Sequence, residues 1–120
     1  MKRKTADPQA FVDVGFWGGA VPGNVPSLRG LHDAGVFGFK CFLLHSGVDE
    51  FPHVSPAELR AALAETATFD GLVIVHAEDP ETVDSAPQPE GRGYAGFLGS
   101  RPKEAEERAI AEVVAAVRET

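Results

Sequence analysis

Lys40 is the one charged residue in the apolar run "VFGFKCFLL" (residues 36 to 44), and His76 and Glu78 close the run "GLVIVHAE" (residues 71 to 78). An isolated ammonium among apolar side chains is costly unless it is paired or changes its protonation state, so something has to meet Lys40. Residue type alone leaves two partners open: a buried carboxylate, or solvent reached by snorkelling from a strand end. One histidine on an apolar strand is first a hydrogen-bonded core residue and only then a metal ligand. Glu78 suits a carboxylate that orients such a ligand, and equally a helix cap or a loop ion pair. Cys41 reads as a small buried hydrophobe. From Lys40 to His76 the interval is 36 residues. That is close to one βαβ unit of roughly 30 residues or more, which places the two on adjacent strands at the same level.

These residues need strands and helices to position them. "FVDVGFW" (11 to 17), "VFGFKCFLL" and "GLVIVHAE" are short, rich in Val, Ile and Phe, and bounded by Gly or acidic residues, so they read as strands buried on both faces. Alternation puts Gly38, Lys40 and Phe42 on one face and Phe39, Cys41 and Leu43 on the other. In the third run Ile74, His76 and Glu78 share a face opposite Val73, Val75 and Ala77. The polar residues fall late in their strands, where parallel α/β proteins place their sites. "SPAE" at Ser55 to Glu58 is a capping box with proline at the first helical position, followed by Leu59, Ala62, Leu63 and Thr66 at helical spacing. A second helix is predicted from a capping Ser100, with Ile110, Val113, Val114 and Val117 as its buried stripe. A shorter one covers residues 25 to 35, interrupted by Gly30 and closed by Gly35. Residues 79 to 99, rich in Pro and Gly, are predicted to be a long loop of functional or mobile character.

Strand, helix, strand, helix, strand, loop, helix is the order of successive right-handed βαβ units over a parallel sheet. The fold class is α/β, with residues 1–120 as one partial domain of about three βα units. A closed parallel barrel needs about 250 residues and eight strands. The chain is therefore either an incomplete (β/α)8 barrel or a small doubly wound domain, and its last helix, running to Thr120 without a stop signal, reads as cut.

Composition narrows the partners. Of 120 residues 43% are hydrophobic and 24% charged, as in a folded domain. The net charge of −7, from 18 acids against 11 Lys and Arg, offers no basic footprint for nucleic acid. Cys41 is the single cysteine, so no internal disulfide forms and a reducing, cytoplasmic setting is expected. "MKRK" is followed by "TADPQAF", which has no signal-peptide core, and no stretch reaches the roughly 18 apolar residues of a membrane span.

Four segments in order carry a resemblance: "DVGFWGGAVPGN", "GVFGFKCFLLHSGVDEFP", "VHAE", and "SRP" leading into an amphipathic helix. Together they resemble the middle of an allantoinase, in the cyclic amidohydrolase group with dihydroorotases and hydantoinases. The resemblance implies a (β/α)8 barrel with two divalent metals, usually zinc, and commonly a homo-oligomer. It implies that Lys40, carboxylated by carbon dioxide, bridges both metals and that His76 ligates one. Hydroxide held by the metals would then attack the ring amide of allantoin, a small-molecule substrate, and give allantoate. Ser46, in the loop after the Lys40 strand, is a candidate substrate contact, with a plain turn as its rival. The family's His-X-His pair, its further histidine and its catalytic aspartate have no counterpart here. His32, His45 and His53 stand in no matching motif. The chain is thus expected to be inactive alone, as an allantoinase fragment, a hydantoinase or dihydropyrimidinase fragment, or a non-catalytic truncated remnant.

Overall fold

Ser55 caps a helix through a capping box, as a computed structural model, which describes residues 2–120, shows. The Ser55 hydroxyl accepts the Glu58 backbone N–H, and the Glu58 carboxylate takes the Ser55 N–H at 2.8 Å in return. Two of the helix's orphan donors are thereby satisfied. In chain order the elements are α1 (Lys2–Ala6), β1 (Gly18–Gly19), α2 (Val25–Asp33), β2 (Phe39–Phe42), α3 (Pro56–Ala67), β3 (Val73–His76), α4 (Pro80–Asp84), α5 (Tyr94–Gly99) and α6 (Lys103–Glu119).

Among the described residues the strands form one parallel sheet in the order β1-β2-β3. Lys40 stands opposite Ile74, and Phe42 opposite His76. Gly38 permits the close approach of β2 to β3, because a Cβ there would lie 2.5 Å from the Leu72 carbonyl oxygen. Gly35 closes α2 at φ +87°, a conformation that glycine adopts without strain.

The core lies on one side of the sheet. Phe39 and Cys41 point into it, joined by Leu28 of α2, Leu59 and Ala62 of α3, and Ala109 and Ala116 of α6. Arg60 of α3 bonds Glu112 and Glu119 of α6, which pins these two helices side by side. Thr66 is buried among them and its hydroxyl donates to the Ala62 carbonyl at 2.9 Å. On the opposite side of the sheet Lys40 and Phe42 are half-buried, while Ile74 and His76 are exposed.

Several expectations change. Among the described residues the two faces of β2 and β3 are covered unequally: Phe39 and Cys41 are buried on one, while Ile74 and His76 are exposed on the other. Residues 11 to 17 do not form a strand: Phe11 and Val12 are exposed, and the ladder starts only where Phe16 accepts the Phe37 N–H. A β-prone run without a neighbour to pair with gains no ladder bonds. Ser100 caps the end of α5, not the start of α6, and its hydroxyl donates to the Phe97 carbonyl at 2.7 Å. Helix α6 does form, and of the expected stripe Val113 packs against the core, but the helix buries Ala105, Ala109 and Ala116, whose small side chains allow close approach, while Ile110, Val114 and Val117 face outward. The loop from 79 to 99 contains two short helices, α4 and α5, the first capped by Asp79. Among the described residues no helix is long and apolar enough to cross a membrane.

Candidate functional site

Lys40 and His76 project from adjacent parallel strands onto the same open face, joined by one aromatic ring. The Lys40 Nζ lies 4.6 Å from the Phe42 ring centroid, and the His76 ring lies 5.4 Å from it on the neighbouring strand. Among the described residues no carboxylate pairs with Lys40. The ammonium instead meets an aromatic face and solvent, a contact worth about 0.5–1 kcal/mol where exposed. The register sets the two residues diagonally, not level as the spacing suggested: His76 is two residues nearer the C-terminal end of its strand than the partner of Lys40.

His76 is held from the loop that follows it. Its Nε2 lies 2.7 Å from the Glu78 carboxylate Oε2, and the same oxygen accepts from Arg101 Nη1 at 2.9 Å. Glu78 is the least exposed of the three side chains, at 13% against 47% for His76 and 40% for Arg101. Glu78 thus forms the loop ion pair, with Arg101, and the same carboxylate contacts the His76 ring. Next along the chain, the Asp79 N–H donates to the Ala105 carbonyl at 2.9 Å, tying the end of β3 to the first turn of α6. The Asp79 carboxylate accepts the Thr82 hydroxyl and backbone N–H. These bonds hold it below the usual carboxylate range, with a smaller contribution from Arg108.

Ser46 is occupied by its own loop. Its hydroxyl donates to the Phe51 carbonyl at 2.7 Å and accepts the Val48 N–H at 3.1 Å, the arrangement of a serine turn. His45 Nδ1 accepts the Gly47 N–H, and His32 stacks on Phe69 at 4.6 Å. His53 lines an open cavity of about 560 Å³ between the ends of β2 and β3 and helix α6, with Glu78, Asp79 and Arg108. Phe42 and Arg101 escaped the sequence reading. Alternation already put Phe42 beside Lys40, and "SRP" marks a rigid turn entering a helix, yet neither pattern names the partner across the fold.

The donor set decides how far a metal fits. His76 keeps Nδ1 clear of the Glu78 contact, and Lys40 stands on the same face, so two donors converge on one side. A protein-bound zinc usually takes about four ligands, and among the described residues no group of three or more His, Cys, Asp or Glu side chains is placed to hold a metal. The residues present fit one side of a centre and do not close it.

The parallel βα sheet has counterparts among known proteins. No family model matches the chain. The L-hydantoinase (dihydropyrimidinase) structure from Arthrobacter aurescens superposes with a TM-score of 0.91 at 33% identity, covering 98% of this chain and 27% of that one. The chain belongs to the amidohydrolase family of hydantoinases and allantoinases. Within it the sequence is 58% identical to the allantoinase of Streptomyces avermitilis over 95% of its length, and 44% identical to that of Saccharomyces cerevisiae over 98%. It spans about a quarter of the length of these curated relatives, 26% of each.

Proposed function

We propose that this chain supplies Lys40 and His76 to a two-metal centre, with zinc as the metal, in an allantoinase barrel that opens the hydantoin ring of allantoin to allantoate. The observation that carries the reading is the placement of Lys40 and His76 on one open face of adjacent parallel strands, in a chain 58% identical to an allantoinase. Lys40 stands half-exposed, with the Phe42 ring against its amine, so the neutral amine is accessible to carbon dioxide. Formation of the N–C bond with loss of one proton turns the amine into a carbamate anion. His76, with Nε2 against Glu78, offers Nδ1. Divalent metals, when bound, supply activated water and polarise the amide carbonyl. Phe42 supports both donors from beneath, and Ser46 shapes the loop at the rim, through its turn, as a candidate substrate contact.

The reading predicts that the 120-residue chain alone neither holds two metals nor hydrolyses allantoin, because its donors stop at two. Two tightly held zinc ions per chain by elemental analysis would overturn that. Restoring the missing ligands, by extending the chain or by co-expressing the remainder of a barrel, should bring metal uptake and allantoin hydrolysis together. The structural likeness to L-hydantoinase gives a second reading, a hydantoin or dihydropyrimidine ring as substrate. Turnover of the restored protein on allantoin, hydantoin and dihydrouracil separates the two, and a higher rate on either of the latter removes allantoin.

A further inference from the structure

We infer that Arg101 is a positioning residue for His76, acting through Glu78. The three side chains form a directed chain from the mouth of α6 to the end of β3. Arg101 Nη1 donates to Glu78 Oε2 at 2.9 Å, and the same oxygen lies 2.7 Å from His76 Nε2. Only Glu78, the middle member, is largely shielded. A carboxylate that takes a charge-assisted bond from a guanidinium is fixed in orientation, and charge-assisted bonds are roughly twice as strong as neutral ones. An anchored carboxylate fixes which imidazole nitrogen carries the proton, because it accepts only from N–H. Here that nitrogen is Nε2, which turns the lone pair of Nδ1 away from Glu78.

The backbone explains why an arginine at this position does the work. Arg101 sits between the cap of α5 at Ser100 and the extended Pro102 that precedes α6. Its own N–H donates to the Leu98 carbonyl, so its Cα is held in a tight turn. The bond from Asp79 N–H to the Ala105 carbonyl locks the first turn of α6 to the residue after Glu78. Donor and acceptor are thus delivered to each other by two short, bonded segments, although 23 residues separate them in the chain. Without Arg101, Glu78 would be free to choose other rotamers, and the His76 ring would keep its contact with Phe42 but lose the anchored carboxylate.

The inference rests on the reading of His76 as a ligand for its functional meaning, but its test does not. In the 120-residue chain labelled with 15N-histidine, the His76 Nε2 proton should give a downfield, slowly exchanging resonance. Arg101→Ala should abolish that resonance or raise its exchange rate at least tenfold, Glu78→Ala should abolish it, and Arg101→Lys should restore part of it. Circular dichroism on each variant checks that the fold is kept. Should Arg101→Ala unfold the chain, Arg101→Gln, which keeps a donor but loses the charge, replaces it with the same expected increase in exchange. A His76 resonance that is absent in the parent chain, or unchanged in the folded Arg101 variant, overturns the relay and leaves the metal reading standing. Failure of metal uptake in a restored barrel with the resonance intact sinks that reading alone.

Discussion

The two faces of the same short sheet have opposite fates. On one, Phe39 and Cys41 are sealed beneath α2, α3 and α6 and make the centre of the core. On the other, Lys40, Phe42, Ile74 and His76 stand partly or fully open. Side chains alternate with a period of two along both strands, so the residues that stabilise this chain and the residues that suit chemistry are interleaved one by one. The open face holds Lys40 and His76, the two donors proposed above.

The contrast makes its strongest prediction for stability. Phe39→Ala should cost about 3–5 kcal/mol, the usual loss for a buried phenylalanine, measured by urea unfolding. Phe42→Ala, one residue position away from the covered face, should cost less than half as much. Equal losses would mean that the open face is as integral to the fold as the core, and the comparison would fail.

Cys41 tests the same boundary electrostatically. Burial pushes its thiol up to about 11 from an ordinary 9.0, against a smaller downward pull from the Lys40 ammonium. A thiol with a raised folded pKa binds its proton more tightly in the native state, so its contribution is present below the unfolded pKa and is lost as pH rises from about 9 through about 11. Two units correspond to about 2–3 kcal/mol, and Cys41→Ala should flatten this alkaline loss. A neutral, buried thiol should also resist iodoacetamide at neutral pH until the chain unfolds. Prompt labelling of the native chain would show that the covered face opens.

The cap at Ser55 lies on the covered side and is worth less. Ser55→Ala should cost about 1 kcal/mol by loss of the N-cap acceptor. Glu58 is held below the usual carboxylate range, first by the Ser55 N–H and then by the Ser55 hydroxyl. For a carboxylate with a depressed pKa the stabilisation is present above its unfolded pKa and disappears as pH falls through the folded one. Thermal melts across the acid range should therefore show a shallower acid loss in Ser55→Ala than in the parent, because the hydroxyl's share is gone. Identical slopes would assign the acid sensitivity elsewhere.

How much of this was legible depends on whether the signal was local. The Ser55 box needs only four residues, and it forms as read. The order of βα units and the shared face of Lys40 and His76 follow from apolar runs and a period of two, and they hold as well. Residues 11 to 17 failed because strand propensity is decided by a pairing partner, and here the ladder begins at Phe16. The face of α6 was legible only at Val113, which packs on the core, because alanine is a weak hydrophobic marker, yet Ala105, Ala109 and Ala116 fit close helix packing better than Ile110 or Val114. The diagonal offset of Lys40 and His76 is a matter of register, which the interval of one βαβ unit sets only to within a residue or two. Arg101 lies 23 residues from Glu78, and no local pattern links them.

The smallest effect returns to the residue that looked most expensive. Lys40→Met keeps the length of the side chain and removes its charge. On a sealed face that change should stabilise the chain markedly, by relieving a buried ammonium. On an open face the ammonium is already solvated, and the change removes only its contact with the Phe42 ring, about 0.5–1 kcal/mol at an exposed site. Burial of the added thioether offsets part of that loss, so the net shift in urea unfolding should fall within about 0.5 kcal/mol of zero. A gain of several kcal/mol would show that Lys40 is strained in the fold. A near-zero result means that nothing in the stability of this chain requires a lysine at position 40, which leaves chemistry on the open face as the reason for its presence.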